Sequence, residues 1–270
     1  MIDVGRGIPI VLVPGIQGRC EWMAPTIRAL GARHRVLSFS LDEAAAPGTA
    51  TETFDRWVDE IDELLDRARE PRAAVVGVSF GGLVAARYAA ERPARTPALV
   101  MASSPSPRAR LDRQSVAYLR HPRLALPLFA ARACARLLPE TLAARVTWTS
   151  RARFLAGHLG RVLHAPIHPR LMASWVRAWM AVDLEADCRR IAAPTLVITG
   201  EPDLDRVVPV AQSLEACECI AGATHVVLRQ TGHIGSVSRP VEFAELVSRF
   251  VDAAWRRGQL EIGPAIGRAG

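Results

Sequence analysis

Ala73-Ala74-Val75-Val76-Gly77-Val78-Ser79-Phe80-Gly81-Gly82 runs from an apolar, β-branched segment directly into a glycine-rich one. Ala73 to Val78 is short and continuously apolar, so it reads as a strand buried on both faces. From Phe80 to Arg92 the chain is rich in Gly and Ala and stops at Pro93, which reads as a helix. Between the two lies Gly77-Val78-Ser79-Phe80-Gly81, a G-x-S-x-G motif at a predicted strand–helix junction. A serine there sits on a tight, strained turn, and its neighbours must be small for strand and helix to approach. Gly82, Ala85, Ala86 and Ala89 then let the helix pack closely on its sheet.

Outward from this junction the chain alternates. Ile8 to Val13 is an apolar run ended by Pro14-Gly15, residues 22–31 suit a short helix, and Arg35 to Leu41 suits a second strand. Phe54, Trp57, Val58, Ile61, Leu64 and Leu65 recur at helical spacing, with acids early and arginines late. Ala98 to Ala102, Thr195 to Thr199 and Thr224 to Leu228 read as further strands, and a last helix falls at about 241–256. Such alternation implies right-handed crossovers, hence an α/β fold: a mostly parallel sheet of about six strands covered by helices on both faces. Residues 105–189 break the pattern with helical stretches separated by prolines. Phe154, Leu155, His158, Leu159, Val162 and Leu163 form one stripe, and Leu171, Met172, Trp175, Val176, Trp179 and Met180 another. The expected organisation is a core at 1–104 and 190–257, an all-helical lid at 105–189, and a flexible tail at 258–270.

Composition narrows the chemistry. Of 270 residues half are apolar and 23% charged, with Gly and Pro at 19 each, which excludes disorder, collagen-like repeats and coiled coils. No apolar run approaches the roughly 20 residues of a membrane span, and no signal-peptide pattern opens the chain, so a soluble cytoplasmic protein is expected. Five cysteines, an odd number, read as reduced thiols, and Cys217-x-Cys219 lacks metal or redox spacing. Pro166 keeps His164 and His168 off a shared helix face, so no metal site is read there. All 34 basic residues are arginine. Without lysine there is no Walker A loop, no Schiff-base lysine and no Ser-x-x-Lys site. The net charge is +7, yet no nucleic-acid motif accompanies it. Between Ser104 and Val182 thirteen arginines face two acids, Asp112 and Glu140, leaving the rest of the chain four charges negative. Those arginines read either as solvated helix faces or as a surface for anionic substrates or a membrane.

The stretch from Gly77 to Ser104 resembles the nucleophile elbow, following helix and next strand of the α/β-hydrolase superfamily. The resemblance implies a serine hydrolase with a helical lid and Ser79 as nucleophile. It further implies an oxyanion hole from backbone N–H groups, one at Phe80. The other is at Ile16, in Val13-Pro14-Gly15-Ile16-Gln17-Gly18, which resembles the family's His-Gly-x-x-x-Gly loop with proline for histidine. The family's catalytic histidine matches His233, just past the last strand in Gln230-Thr231-Gly232-His233. His34 and His225 read as strand-end or surface residues. The acid follows the Thr195–Thr199 strand. Family members commonly place an Asp three residues after such a glycine, which implies Asp203 after Gly200; they also place it in an Asp-x-x-Val-Pro setting, and Asp205-Arg206-Val207-Val208-Pro209 gives the longer match and favours Asp205. The family usually has two strands before the one that here begins at Ile8, so at most a remnant precedes it.

These features imply cleavage of an ester or thioester of a small, apolar acyl compound through a Ser-His-Asp triad and an acyl-enzyme, with no cofactor and no metal. An acyltransferase or a cofactor-free haloperoxidase-like enzyme would use the same triad, and a ligand-binding member would keep only the fold. Trp148, Trp175, Trp179, Phe129, Met172 and Met180 are the lid candidates for an apolar pocket, with Trp175 and Trp179 foremost.

Overall fold

A computed structural model describes residues 1–41, 49–111, 113–144, 147–166 and 168–262. Its strands are β1 (Ile2–Val4), β2 (Pro9–Val13), β3 (Arg35–Ser38), β4 (Ala74–Val78), β5 (Leu99–Ala102), β6 (Thr195–Thr199) and β7 (Thr224–Val227). They form one sheet in the order β1-β3-β2-β4-β5-β6-β7. β2 to β7 are mutually parallel, which are the six strands read from sequence. A seventh, β1, pairs antiparallel with β3 at the edge. Three residues are too few to show an alternation, so it left no pattern to read.

The helices are α1 (Ala24–Gly31), α2 (Ala50–Ala68), α3 (Phe80–Glu91), α4 (Arg113–Arg120), α5 (Pro122–Ala144), α6 (Trp148–His164), α7 (Pro169–Met180), α8 (Leu184–Arg190), α9 (Val210–Cys219), α10 (Gly235–Ser238) and α11 (Pro240–Ile262). Because successive strand residues point to opposite faces, each strand feeds two cores. Val11, Val13, Val75, Leu99, Met101 and Val197 pack with α2, α3 and α8 on one side. Ile10, Leu12, Val76, Val100, Leu196 and Ile198 pack with α1 and α11 on the other. α2 starts on a capping box, Thr49 with Glu52, and buries the whole stripe from Phe54 to Leu65.

Several boundaries differ from the sequence reading. α9 was not read at all, since its buried residues (Val210, Ser213, Ala216, Cys219) are too small and mixed to make an apolar stripe. Pro127 and Pro139 lie inside α5 rather than between helices. Each removes one backbone donor but leaves the helix continuous. The last helix runs through Gly258 to Ile262, where a flexible tail is expected from the sequence, and residues 263–270 lie outside the described set. α8, placed in the lid by the boundary at 189, packs on α3 with Leu184 and Cys188 in the core. Its buried Asp187 holds Arg87 of α3 at 2.8 Å and Arg190 at 2.6 Å.

α4 to α7 form the helical excursion over the strands' carboxyl ends. α7 anchors it against α2. Trp175 there is buried edge-on against Trp57, with ring centroids 6.0 Å apart. Its indole fills the space beside Gly18, whose φ of 71° and lack of a Cβ admit the ring. Trp175→Ala should therefore act on stability, costing about 3–5 kcal/mol as a large core truncation. Thermal melts would check this, and an unchanged melting temperature would contradict it.

Candidate active site

β4 delivers Ser79 to the sheet's carboxyl edge. Ser79 adopts φ 54° and ψ −125°, a conformation costly for a residue with a side chain. The strain is held on both sides: Ser79 N–H donates to Ala102 C=O at 2.7 Å, and its carbonyl accepts from Gly82 N–H at 2.9 Å. A Cβ at Gly77 would stand 2.5 Å from Gly82 Cα, and one at Gly81 would strike the Val13 and Pro14 carbonyls. The glycines of the motif thus let three backbone segments converge beneath one hydroxyl.

Facing Ser79 is His233, in the turn between β7 and α10. Its Nε2 lies 3.0 Å from Ser79 Oγ. The opposite ring nitrogen, Nδ1, is 3.5 Å from Asp205 Oδ1. This is ion-pair range and longer than a good hydrogen bond; such contacts commonly tighten only when substrate is bound. Asp205 is fixed by its own turn, since Oδ1 accepts from Val207 N–H at 3.1 Å and Val208 N–H at 2.9 Å. All three side chains are buried. Asp203, the other sequence candidate, is exposed in the same loop, and the structure gathers Asp205 rather than Asp203 with His233.

Ile16 and Phe80 both flank Ser79 on a cavity of about 330 Å³. Phe80 opens α3, where the first backbone N–H groups have no helical acceptor and point out of the helix end. The walls come from α4 (Tyr118, Leu119), α5 (Leu126, Phe129) and α7 (Met172, Val176). Trp179 also lines it. Trp175 does not; it belongs to the core. Of the other lid candidates Phe129 and Met172 reach the cavity, whereas Trp148 is exposed to solvent. No charged side chain is among the described residues that line it. The remaining histidines are elsewhere. His225 on β7 bonds Thr199 Oγ1, and His34, read as a strand-end or surface residue, directly precedes β3 and is buried against Ser248.

Sequence reasoning missed Glu140. This α5 residue is fully buried, and one carboxylate oxygen accepts from Gly232 N–H and Ile234 N–H, both at 2.9 Å. Those two groups bracket His233. The other oxygen is buried without a hydrogen-bond partner among the described residues. Burial pushes the carboxyl up to about 7, against the pull of the Ile234 N–H, His233 and the Gly232 N–H, with Asp205 adding to the rise. Its only trace in the sequence is that α5 and α6 carry no other acid.

Comparison with known proteins agrees with this fold. Residues 10–246 match the model of the alpha/beta hydrolase family. A 2-hydroxymuconate semialdehyde hydrolase of Pseudomonas sp. (strain CF600) is 27% identical, over 93% of this chain and 89% of that protein. A hydrolase from Pseudomonas aeruginosa PA01 superposes with a TM-score of 0.74 at 25% identity, covering 92% of each chain. The enol-lactonase from Burkholderia xenovorans LB400 shares the fold, with a TM-score of 0.72 at 23% identity over 93% of this chain and 95% of that one.

Glu140 sets a pH test. Its carboxyl titrates at about 7 when folded against an ordinary 4.5, so the folded state keeps a proton that the unfolded chain releases first. The stability linked to it is complete below about 4.5 and is lost as pH rises through about 7. Glu140→Gln retains an acceptor for both N–H groups and abolishes the titration. Its melting temperature should fall less than the parent's between those pH values; identical slopes would contradict the assignment. Glu140→Leu leaves two buried N–H groups unmet and should cost about 1–3 kcal/mol for each at any pH.

Proposed function

The chain belongs to the alpha/beta hydrolase family, and we propose that it is a serine hydrolase cleaving an ester or thioester of a neutral, apolar acyl compound. The observation that carries this reading is the 3.0 Å contact of Ser79 Oγ with His233 Nε2 on a strained elbow. In the proposed reaction His233 takes the Ser79 proton as Oγ attacks the acyl carbonyl. The resulting oxyanion is held by the N–H groups of Ile16 and Phe80. His233 then returns the proton to the leaving oxygen or sulfur, and water repeats the cycle on the acyl-enzyme. Asp205 keeps the Nδ1 proton on its own side of the ring and stabilises the imidazolium.

The cavity supports the proposed substrate class. With no cation among its described lining residues, a carboxylate beside them would be desolvated and unpaired, which is costly. Esters of apolar acids without a further charge are therefore the proposed substrates.

The mutational test uses nitrophenyl esters. Ser79→Ala should lower kcat about 10⁶-fold and Asp205→Asn about 10⁴-fold. Asp203→Asn should leave activity near the parent's, and a larger loss there than at Asp205 would move the acid. Activity should rise with acyl length until the cavity is filled. A monoester of a dicarboxylic acid of equal length should be a much poorer substrate; equal kcat/KM for both would overturn the substrate class.

A further inference from the structure

An apolar stripe along a helix is ordinarily turned to a core. α5 carries two such stripes, and only one is covered. Its inner face, through Pro122, Ala125, Leu126 and Phe129, lines the cavity. On its outer side Leu124, Leu128, Ala131, Ala135, Leu138 and Leu142 follow one another three or four residues apart, and all are exposed. Leu124 is 82% exposed. α6 repeats the arrangement with Trp148, Ala152, Leu155, Leu159 and Leu163, again at helical spacing and all exposed. Trp148 is 80% and Leu163 73% exposed. The two helices are consecutive, and Arg151 of α6 reaches back to the Leu142 carbonyl at 3.0 Å.

The charge beside these stripes is of one sign. Arg123, Arg136 and Arg153 are exposed on α5 and α6. The only acid on either helix is Glu140, which is buried beneath. Apolar stripes edged by arginine, with no exposed carboxylate, match a surface that is oily below and negative above. No described helix is long and apolar enough to cross a membrane, so the match is to lying on one.

We propose that the outer faces of α5 and α6 are a docking surface for an anionic lipid bilayer. Docking there sets one helix, α5, between the bilayer and the apolar cavity, whose wall residue Phe129 is itself 38% exposed. Self-association through the same faces is the competing occupant. It is disfavoured because a symmetric contact would set arginine against arginine. The proposal does not depend on the hydrolase chemistry.

The test is flotation of the full chain with phosphatidylcholine vesicles and with mixed phosphatidylcholine–phosphatidylglycerol vesicles, beside its mass in solution without lipid. The chain should float with the mixed vesicles only and be released by high salt. Leu138→Glu/Leu155→Glu and, separately, Arg123→Glu/Arg136→Glu/Arg153→Glu should each reduce the bound fraction at least about tenfold. Circular dichroism and melting temperature establish that each variant is folded. Should the leucine variant not fold, the arginine variant and the salt arm decide. Failure to bind mixed vesicles, or equal binding to neutral ones, overturns the proposal. So does a dimer that the leucine variant dissociates without any vesicle binding, which would assign the face to a second copy.

Discussion

The hydrogen bond between Ser79 and His233 joins residues 154 positions apart, and everything around it serves to keep that contact. On the serine side the cost is backbone strain. Ser79 can hold its positive φ only because β4 is clamped between β2 and β5 and because Gly77, Gly81 and Gly82 let α3 begin against the sheet. On the histidine side the cost is a buried polar loop, whose N–H groups need acceptors away from water. Thr231 Oγ1 donates to Leu228 C=O, Glu201 N–H donates to Thr231 C=O, and Glu140 takes the two N–H groups that bracket the ring.

Glu140 connects the α4 to α7 excursion to the proposed triad. It is carried by α5, which also walls the cavity, so the helix that shapes the proposed acyl site also fixes the loop of the proposed base. A movement of α5 that opened the cavity would withdraw acceptors from both flanks of His233. The arrangement carries its own cost. A carboxyl held near neutrality by burial sits beside His233 and Asp205, and each further negative charge there disfavours the next.

The sheet was legible in the sequence because buried parallel strands are short apolar runs with clear ends, and G-x-S-x-G fell at one of them. β1 and α9 were not, the first being too short and the second too mixed in composition to carry a period. The proposed triad was legible in two residues. For the third, linear spacing left Asp203 and Asp205 open, and the turn that points Asp205 at His233 is a three-dimensional fact. Aromatic content could not separate Trp175 from Trp179. They sit four residues apart on one helix face, yet the first meets Gly18 and Trp57 while the second meets the cavity. Glu140 was invisible for the same reason: nothing in an arginine-rich helix marks which side chain turns inward.

The central claim is that Ser79 is an activated nucleophile, and covalent trapping tests it most directly. Folded protein treated with a fluorophosphonate should gain one adduct by intact mass, mapped to Ser79 after proteolysis, and should gain none after denaturation. An unmodified folded protein, or an adduct elsewhere that persists in Ser79→Ala, would contradict the account.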